Sequence, residues 1–166
     1  MSGIDEVKAA REEVAGWYED STLPELHSSL ASMQLAPGVH EGRSLLKRHG
    51  FNIVIISITW EFAVEWFAHQ LGAEYFIGMR LSLDGDITGF WPSDKPVWLK
   101  SLADRLGTPM HDVAAVGDSS GDLDMLRAVG HPYWVGSHLP AGFTGAHHPD
   151  GDIERIAQDI VAVADG

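Results

Sequence analysis

A chain of 166 residues is long enough for one domain with a real core and too short for two comfortable ones. A net charge of −13, with 11 lysines and arginines against 24 carboxylates, leaves no basic stripe to hold a phosphate backbone, which argues against nucleic acid as a partner. The absence of cysteine excludes disulfides and thiolate chemistry. No apolar run approaches the length of a membrane span and the first residues lack the apolar core of a signal peptide, so the expectation is a soluble, cytoplasmic protein with no membrane partner.

Residues 4–18 read as a helix with an imperfect apolar face made by Ile4, Val7, Ala10, Ala15 and Tyr18. Pro24 opens a second helix that Thr22 is placed to cap, with Leu23, Leu26, Leu30 and Met33 as its buried side and Pro37-Gly38 as its stop. Residues 39–49 form a third helix, closed by Gly50. Residues 51–56 then rise as a buried strand into the hydroxyl-bearing turn Ser57-Ile58-Thr59-Trp60, and residues 61–71 are helical up to Gly72. Residues 75–77 are a further strand, and residues 79–83 and 87–91 flank Asp84-Gly85-Asp86, a hairpin turn signal. Pro96 sits in the first turn of a helix running to Gly107, which puts Lys95 at a helix start, where its charge opposes the helix dipole and is either tolerated or placed for an anion. Residues 133–135 make a short strand, residues 136–151 a surface connection in which His147 and His148 have no partner at ligand spacing, and residues 152–164 an amphipathic terminal helix. Alternating strands and helices predict an α/β fold, a doubly wound and mostly parallel sheet.

The stretch from His111 to Leu126 has the richest chemistry. Val113 to Val116 suit a strand buried on both faces, and Asp118 falls at its carboxyl end, where open α/β sheets bind ligands. Ser119-Ser120-Gly121 gives backbone freedom between Asp118 and Asp122, and two carboxylates so spaced suit Mg²⁺, which takes one or two carboxylates, water and substrate phosphate. The alternative is a solvated turn in which Asp118 or Asp122 only caps the following helix. Ser57 has a parallel alternative as the cap of the helix after it, and Asp124 reads as a residue complementing the helix dipole.

Together these segments resemble the haloacid dehalogenase superfamily of phosphohydrolases, in particular its phosphoserine-phosphatase-like branch, from about Leu35 to the C-terminus. Leu35-Ala36-Pro37-Gly38-Val39 ahead of a helix, followed by a strand ending at Ser57, looks like the second family motif. Lys95 matches the third, and Gly117-Asp118-Ser119-Ser120-Gly121-Asp122-Leu123-Asp124 the fourth. The resemblance implies Mg²⁺-dependent hydrolysis of a small phosphorylated metabolite. Ser57 and Ile58 would bind phosphate, Lys95 would neutralise phosphate and nucleophile, and Asp118 and Asp122 would serve the metal, Asp122 through water or Lys95. It also implies two parts: a partial helical cap at residues 1–36, and an α/β core at residues 37–166 lacking its first strand.

The family's first motif, an Asp-x-Asp at the end of the central strand that carries the nucleophile, has no match here. Asp84-Gly85-Asp86 lies in a predicted turn, Asp122-Leu123-Asp124 belongs to the fourth motif, and Asp150-Gly151-Asp152 precedes a helix with no buried strand before it. The expectation is therefore a truncated, split or degenerate member, weakly active or inactive alone, in which Lys95 and Asp122 play supporting catalytic roles. Its alternatives are a non-catalytic phospholigand-binding module and a partner subunit of a split enzyme. In the family the absent strand lies between those ending at Ser57 and at Gly117. Its loss would leave a gap to be closed by pairing of those strands, by rearrangement, by self-association or by a second chain.

Overall fold

Gly78 shows how the first half of the molecule is assembled. A Cβ placed there would lie 2.7 Å from the Cα of Glu61, so a bare backbone at this position lets a helix start directly above the strand. The computed structural model describes residues 9, 12, 13, 16, 21–81 and 87–166. Of the helix read over residues 4–18, positions 9, 12, 13 and 16 are helical, and the rest of it, like the Asp84-Gly85-Asp86 turn, lies outside the described residues.

The elements are α1 (Leu23–Leu30), α2 (Val39–Arg48), β1 (Val54–Trp60), α3 (Glu61–Leu71), β2 (Tyr75–Leu81), β3 (Ile87–Thr88), α4 (Asp94–Leu106), β4 (Ala114–Gly117), α5 (Leu123–Ala128), β5 (His131–Val135), β6 (Ala146–His148) and α6 (Ile153–Ala164). Pro24 stands in the first turn of α1, and Thr22 donates from its amide (2.8 Å) and its hydroxyl (2.7 Å) to Glu25. The helix stops at Leu30, so Met33 falls beyond it and is exposed rather than part of a buried side. Helices α2 and α6 pack on each other through Gly42, where a Cβ would come 2.6 Å from the Ile153 carbonyl oxygen. Asp152 caps α6 by accepting from the amides of Glu154 and Arg155.

The fold is α/β with mostly parallel strands, as expected, but the strands form two three-stranded sheets, ordered β1-β2-β3 and β4-β5-β6. In the first, β1 is parallel and β3 antiparallel to β2; in the second, both pairings are parallel. Strand β1 starts later than the apolar run and continues through Trp60, so Ser57 lies within a strand and not in a turn after it. The pairings Ile56 to Ile77 and Trp60 to Met79 leave Ser57, Ile58 and Thr59 opposite Gly78 alone, a bulge that keeps the strand going while redirecting these three side chains.

Three further expectations are corrected. Val116 is 39% exposed, so β4 is not buried on both faces. The segment read as a plain connection contains β6, whose buried His148 has its Nε2 3.0 Å from Asp159 of α6, a partner too distant in sequence to be seen by local spacing. Asp150-Gly151-Asp152 therefore does follow a strand. Its carboxylates are nonetheless occupied, Asp150 by Arg155 at 2.6 Å and Asp152 by the α6 amides.

The core lies in clusters on either side of the break between the sheets. Leu99 of α4, Ala115 of β4, Met125 and Leu126 of α5, Val129 and Trp134 of β5 form one; Trp60, Met79 and Phe90 form another; and Ile56 of β1 packs against both. Leu126 is fully buried, and Leu126→Ala is expected to cost about 2–5 kcal/mol by removing contacts and leaving a cavity. A lowered urea midpoint with an unchanged slope would register that loss.

Candidate functional site

Two helices set the geometry of the site by burying their apolar faces. On α4, Lys95 is four residues before Leu99 and shares its side of the helix. On the other element, Asp122 is three and four residues before Met125 and Leu126. Packing Leu99 against the cluster that holds Met125 and Leu126 therefore brings Lys95 to Asp122, and Lys95 Nζ donates to Asp122 Oδ1 at 2.6 Å. Both residues are buried, Lys95 to 4% exposure and Asp122 to 7%.

The second oxygen of Asp122 is also occupied. Oδ2 accepts from the Ser119 hydroxyl at 2.7 Å, from the Ser119 amide at 3.1 Å and from the Asp118 amide at 3.3 Å. Ser119 and Asp122 form a capping box around the single turn Ser120–Asp122, which leads into α5. Gly117 makes room for it, since a Cβ there would lie 2.5 Å from the Cβ of Asp122. Burial pushes the Asp122 carboxyl up, but the Lys95 ammonium and the Ser119 hydroxyl and amide outweigh it and hold the group below the usual carboxylate range.

Asp118 stands at the carboxyl end of β4 with an exposed carboxylate that has no partner among the described residues. The two acids of the fourth motif are thus different in kind: Asp122 fixes the loop and Lys95, while Asp118 is free to take a ligand. As a test for Mg²⁺, the donor chemistry fits, because Asp118 is a hard, accessible oxygen ligand of the type this ion takes together with water and phosphate. It fits as a partial site, since no group of three or more metal-binding side chains occurs among the described residues.

Ser57 and Ile58 lie in the β1 bulge. The Ser57 Oγ accepts from the Thr59 amide at 3.2 Å, which leaves its hydroxyl hydrogen available to a ligand. The N-cap position of α3 is Trp60, so Ser57 is not that helix's cap. Among the described residues no hydrogen bond joins Ser57 or Ile58 to Lys95, Asp118 or Asp122, whereas those three form one connected unit. Ser119 is the member of that unit that the sequence reading did not single out, although its spacing to Asp122 is a capping-box signal.

A haloacid dehalogenase-like hydrolase family model matches residues 2–127. The chain belongs to this family. It is 32% identical over 105 residues to a phosphoserine phosphatase of Mycobacterium tuberculosis, covering 59% of this chain and 26% of the relative. It is 25% identical over 119 residues to the phosphoserine phosphatase of Methanocaldococcus jannaschii, covering 68% of this chain and 56% of that one. The chain therefore spans between a quarter and little more than half of these relatives. Among solved structures, an apo phosphoserine phosphatase superposes with a TM-score of 0.77 at 21% identity, covering 93% of this chain and 82% of its own. A haloacid dehalogenase family hydrolase from Salmonella enterica gives 0.79 at 20% identity, covering 90% of this chain and 54% of its own. These likenesses establish the fold.

The buried ion pair makes a pH-dependent contribution with a definite sign. Because the folded Asp122 carboxyl is held below its unfolded value, near 3.9 for a free aspartate, its stabilisation is complete above that value and is lost as pH falls through the folded one. Asp122→Asn leaves Lys95 buried without a countercharge and is expected to cost about 3–5 kcal/mol at neutral pH. Urea titrations of both proteins across the acid range should show the difference shrinking as pH drops below about 4; a gap that widened there would contradict the assignment.

Proposed function

We propose that this chain forms the phosphate- and metal-holding part of a Mg²⁺-dependent phosphomonoesterase acting on a small phosphorylated metabolite. The observation that carries this reading is the pairing of a free carboxylate, Asp118, with a buried lysine held in place by Asp122. A phosphoryl group in transfer spreads charge over its oxygens, and cations fixed in advance stabilise that charge. Asp122 takes one of the Lys95 donors and fixes its ammonium. Asp118 would hold Mg²⁺, which when bound supplies further positive charge at the phosphate oxygens. Ser57 would donate its hydroxyl to the same group from the β1 bulge. In a chain with a net charge of −13, such local cations are also what would let an anion approach.

The branch's relatives make phosphoserine the first substrate to try. Two features favour a different small phosphomonoester: Ile58-Thr59-Trp60 crowds the position after Ser57, and Gly121 stands where the branch often carries asparagine. The sequence has no match to the family's first motif, which carries the nucleophile, so turnover by this chain alone is expected to be weak.

Hydrolysis of a generic aryl phosphate with Mg²⁺, with Asp118→Asn as control, tests the proposal. The expected rate for the chain alone is far below the ~10 per second typical of enzymes, with phosphate and Mg²⁺ together raising the melting temperature and Asp118→Asn abolishing that rise. Turnover at an ordinary enzymatic rate that Asp118→Asn removes would mean that a nucleophile is present and the weak-activity reading is wrong. No joint effect of phosphate and Mg²⁺ on melting would remove the pocket reading itself.

A further inference from the structure

The connection between β5 and β6 leaves a cavity against α5. Because the two strands are parallel, the chain must return from the carboxyl end of one to the start of the other, a crossover for which proteins ordinarily use a helix. Residues 136–145 make it here without one. The segment is tied to β5 at two points: Trp134 Nε1 donates to the His138 carbonyl at 2.9 Å, and the rings of Phe143 and Trp134 lie 6.0 Å apart. Between these points a turn is closed by the Phe143 amide, which donates to the Pro140 carbonyl at 3.1 Å. An irregular segment held in this way fills less space than a helix would, and a cavity of about 180 Å³ remains between it and α5.

The lining decides what fits. Leu126 and Val129 are buried and form an apolar floor with Leu123, and Pro132, Pro140 and Phe143 stand around it. A cavity of about 150 Å³ lined by leucine, isoleucine and phenylalanine holds one benzene ring. The larger space here therefore takes a single ring with a small substituent, but not two fused rings. Phe143 gives such a ring an aromatic partner. Arg127 is the one charged residue of the lining, and it is exposed, so it belongs to the rim. Its Nη1 lies 3.2 Å from Asp124 Oδ1 in a pair whose members are both exposed, a contact that contributes little and yields to a better partner. A ligand carboxylate is that partner, since it pairs with a guanidinium through two parallel hydrogen bonds. We infer that this cavity binds a monocyclic aromatic carboxylate, its ring over Leu126 and beside Phe143 and its carboxylate on Arg127. The inference goes beyond the phosphatase reading and depends on neither phosphate nor Mg²⁺.

Titration of the isotope-labelled intact chain with benzoate, followed through its amide chemical shifts, tests it. Benzoate should move the amides of Leu126, Val129 and Phe143 saturably, with a dissociation constant of about 1 mM or tighter. Benzamide offers the same ring without the charge. On a chain with a net charge of −13 the overall field favours benzamide, so a preference for benzoate must arise locally. Arg127→Gln should weaken benzoate about tenfold and benzamide little, which separates loss of the guanidinium from loss of the cavity. Ala141→Trp, at an exposed lining position, should block both ligands while leaving the melting transition in place. Any of five results would overturn the proposal: no saturable movement of those three amides, equal affinity for benzoate and benzamide, naphthoate bound as well as benzoate, benzoate shifts centred on residues 118–122 instead, or unchanged binding in both variants.

Discussion

The contact between Lys95 and Asp122 is the constraint on which the site depends. A buried ammonium and a buried carboxylate are each costly to remove from water, and either alone would be intolerable. Here the cost is offset by close geometry and by additional donors: Asp122 accepts from Lys95 on one oxygen and from Ser119 and the Asp118 amide on the other. The result is a rigid corner joining the first turn of α4 to the loop after β4. Both oxygens of Asp122 are engaged within the loop and by Lys95, while the carboxylate of the neighbouring Asp118 is exposed, so a motif of two similar acids divides into a buried fastener and an open carboxylate.

That corner belongs to only one side of the molecule. Lys95, Asp118, Ser119 and Asp122 sit around the second sheet, while Ser57 and Ile58 occupy the bulge at the end of the first. The halves share no backbone ladder among the described residues and are joined by packing: Ile56 reaches both core clusters, α4 sends Trp98 to one and Leu99 to the other, and α2 packs on α6. Any ligand held by all of these residues would draw its contacts from both sheets, so the distance between β1 and β4 is a property of the site as well as of the fold. A bulge that sets three residues against one at this point gives the end of β1 a shape that a regular strand would not have.

Membership of the haloacid dehalogenase-like hydrolases and the shared fold agree with this picture. The relatives' greater length means that features of the whole enzymes need not reside in these residues. The local chemistry is narrower than the family's: a fixed cation, a free hard ligand and a hydroxyl. None of these groups supplies the nucleophile that a bond-making step on a phosphate ester needs.

Much of this was legible in the sequence because it follows from local periodicity and spacing. The helix stops at Gly72 and Gly107, the capping of α1 by Thr22 and the strand before Asp118 are short-range patterns, while the motif order pointed to the family and, only through that resemblance, to a link between Lys95 and the acidic loop. What the sequence could not express is pairing. The strand β6 was missed because its support is an edge contact with β5 and a buried histidine facing Asp159 on a distant helix. The continuation of β1 past Ser57 depends on which residues of β2 lie opposite, and the different fates of Asp118 and Asp122 depend on where Leu99 and Leu126 bring α4 and α5 together. Composition and spacing determined which groups were available and what chemistry they suit; packing decided which carboxylate is buried, which is free, and which strand edges lack a neighbour, because those outcomes arise from contacts between segments far apart in the chain.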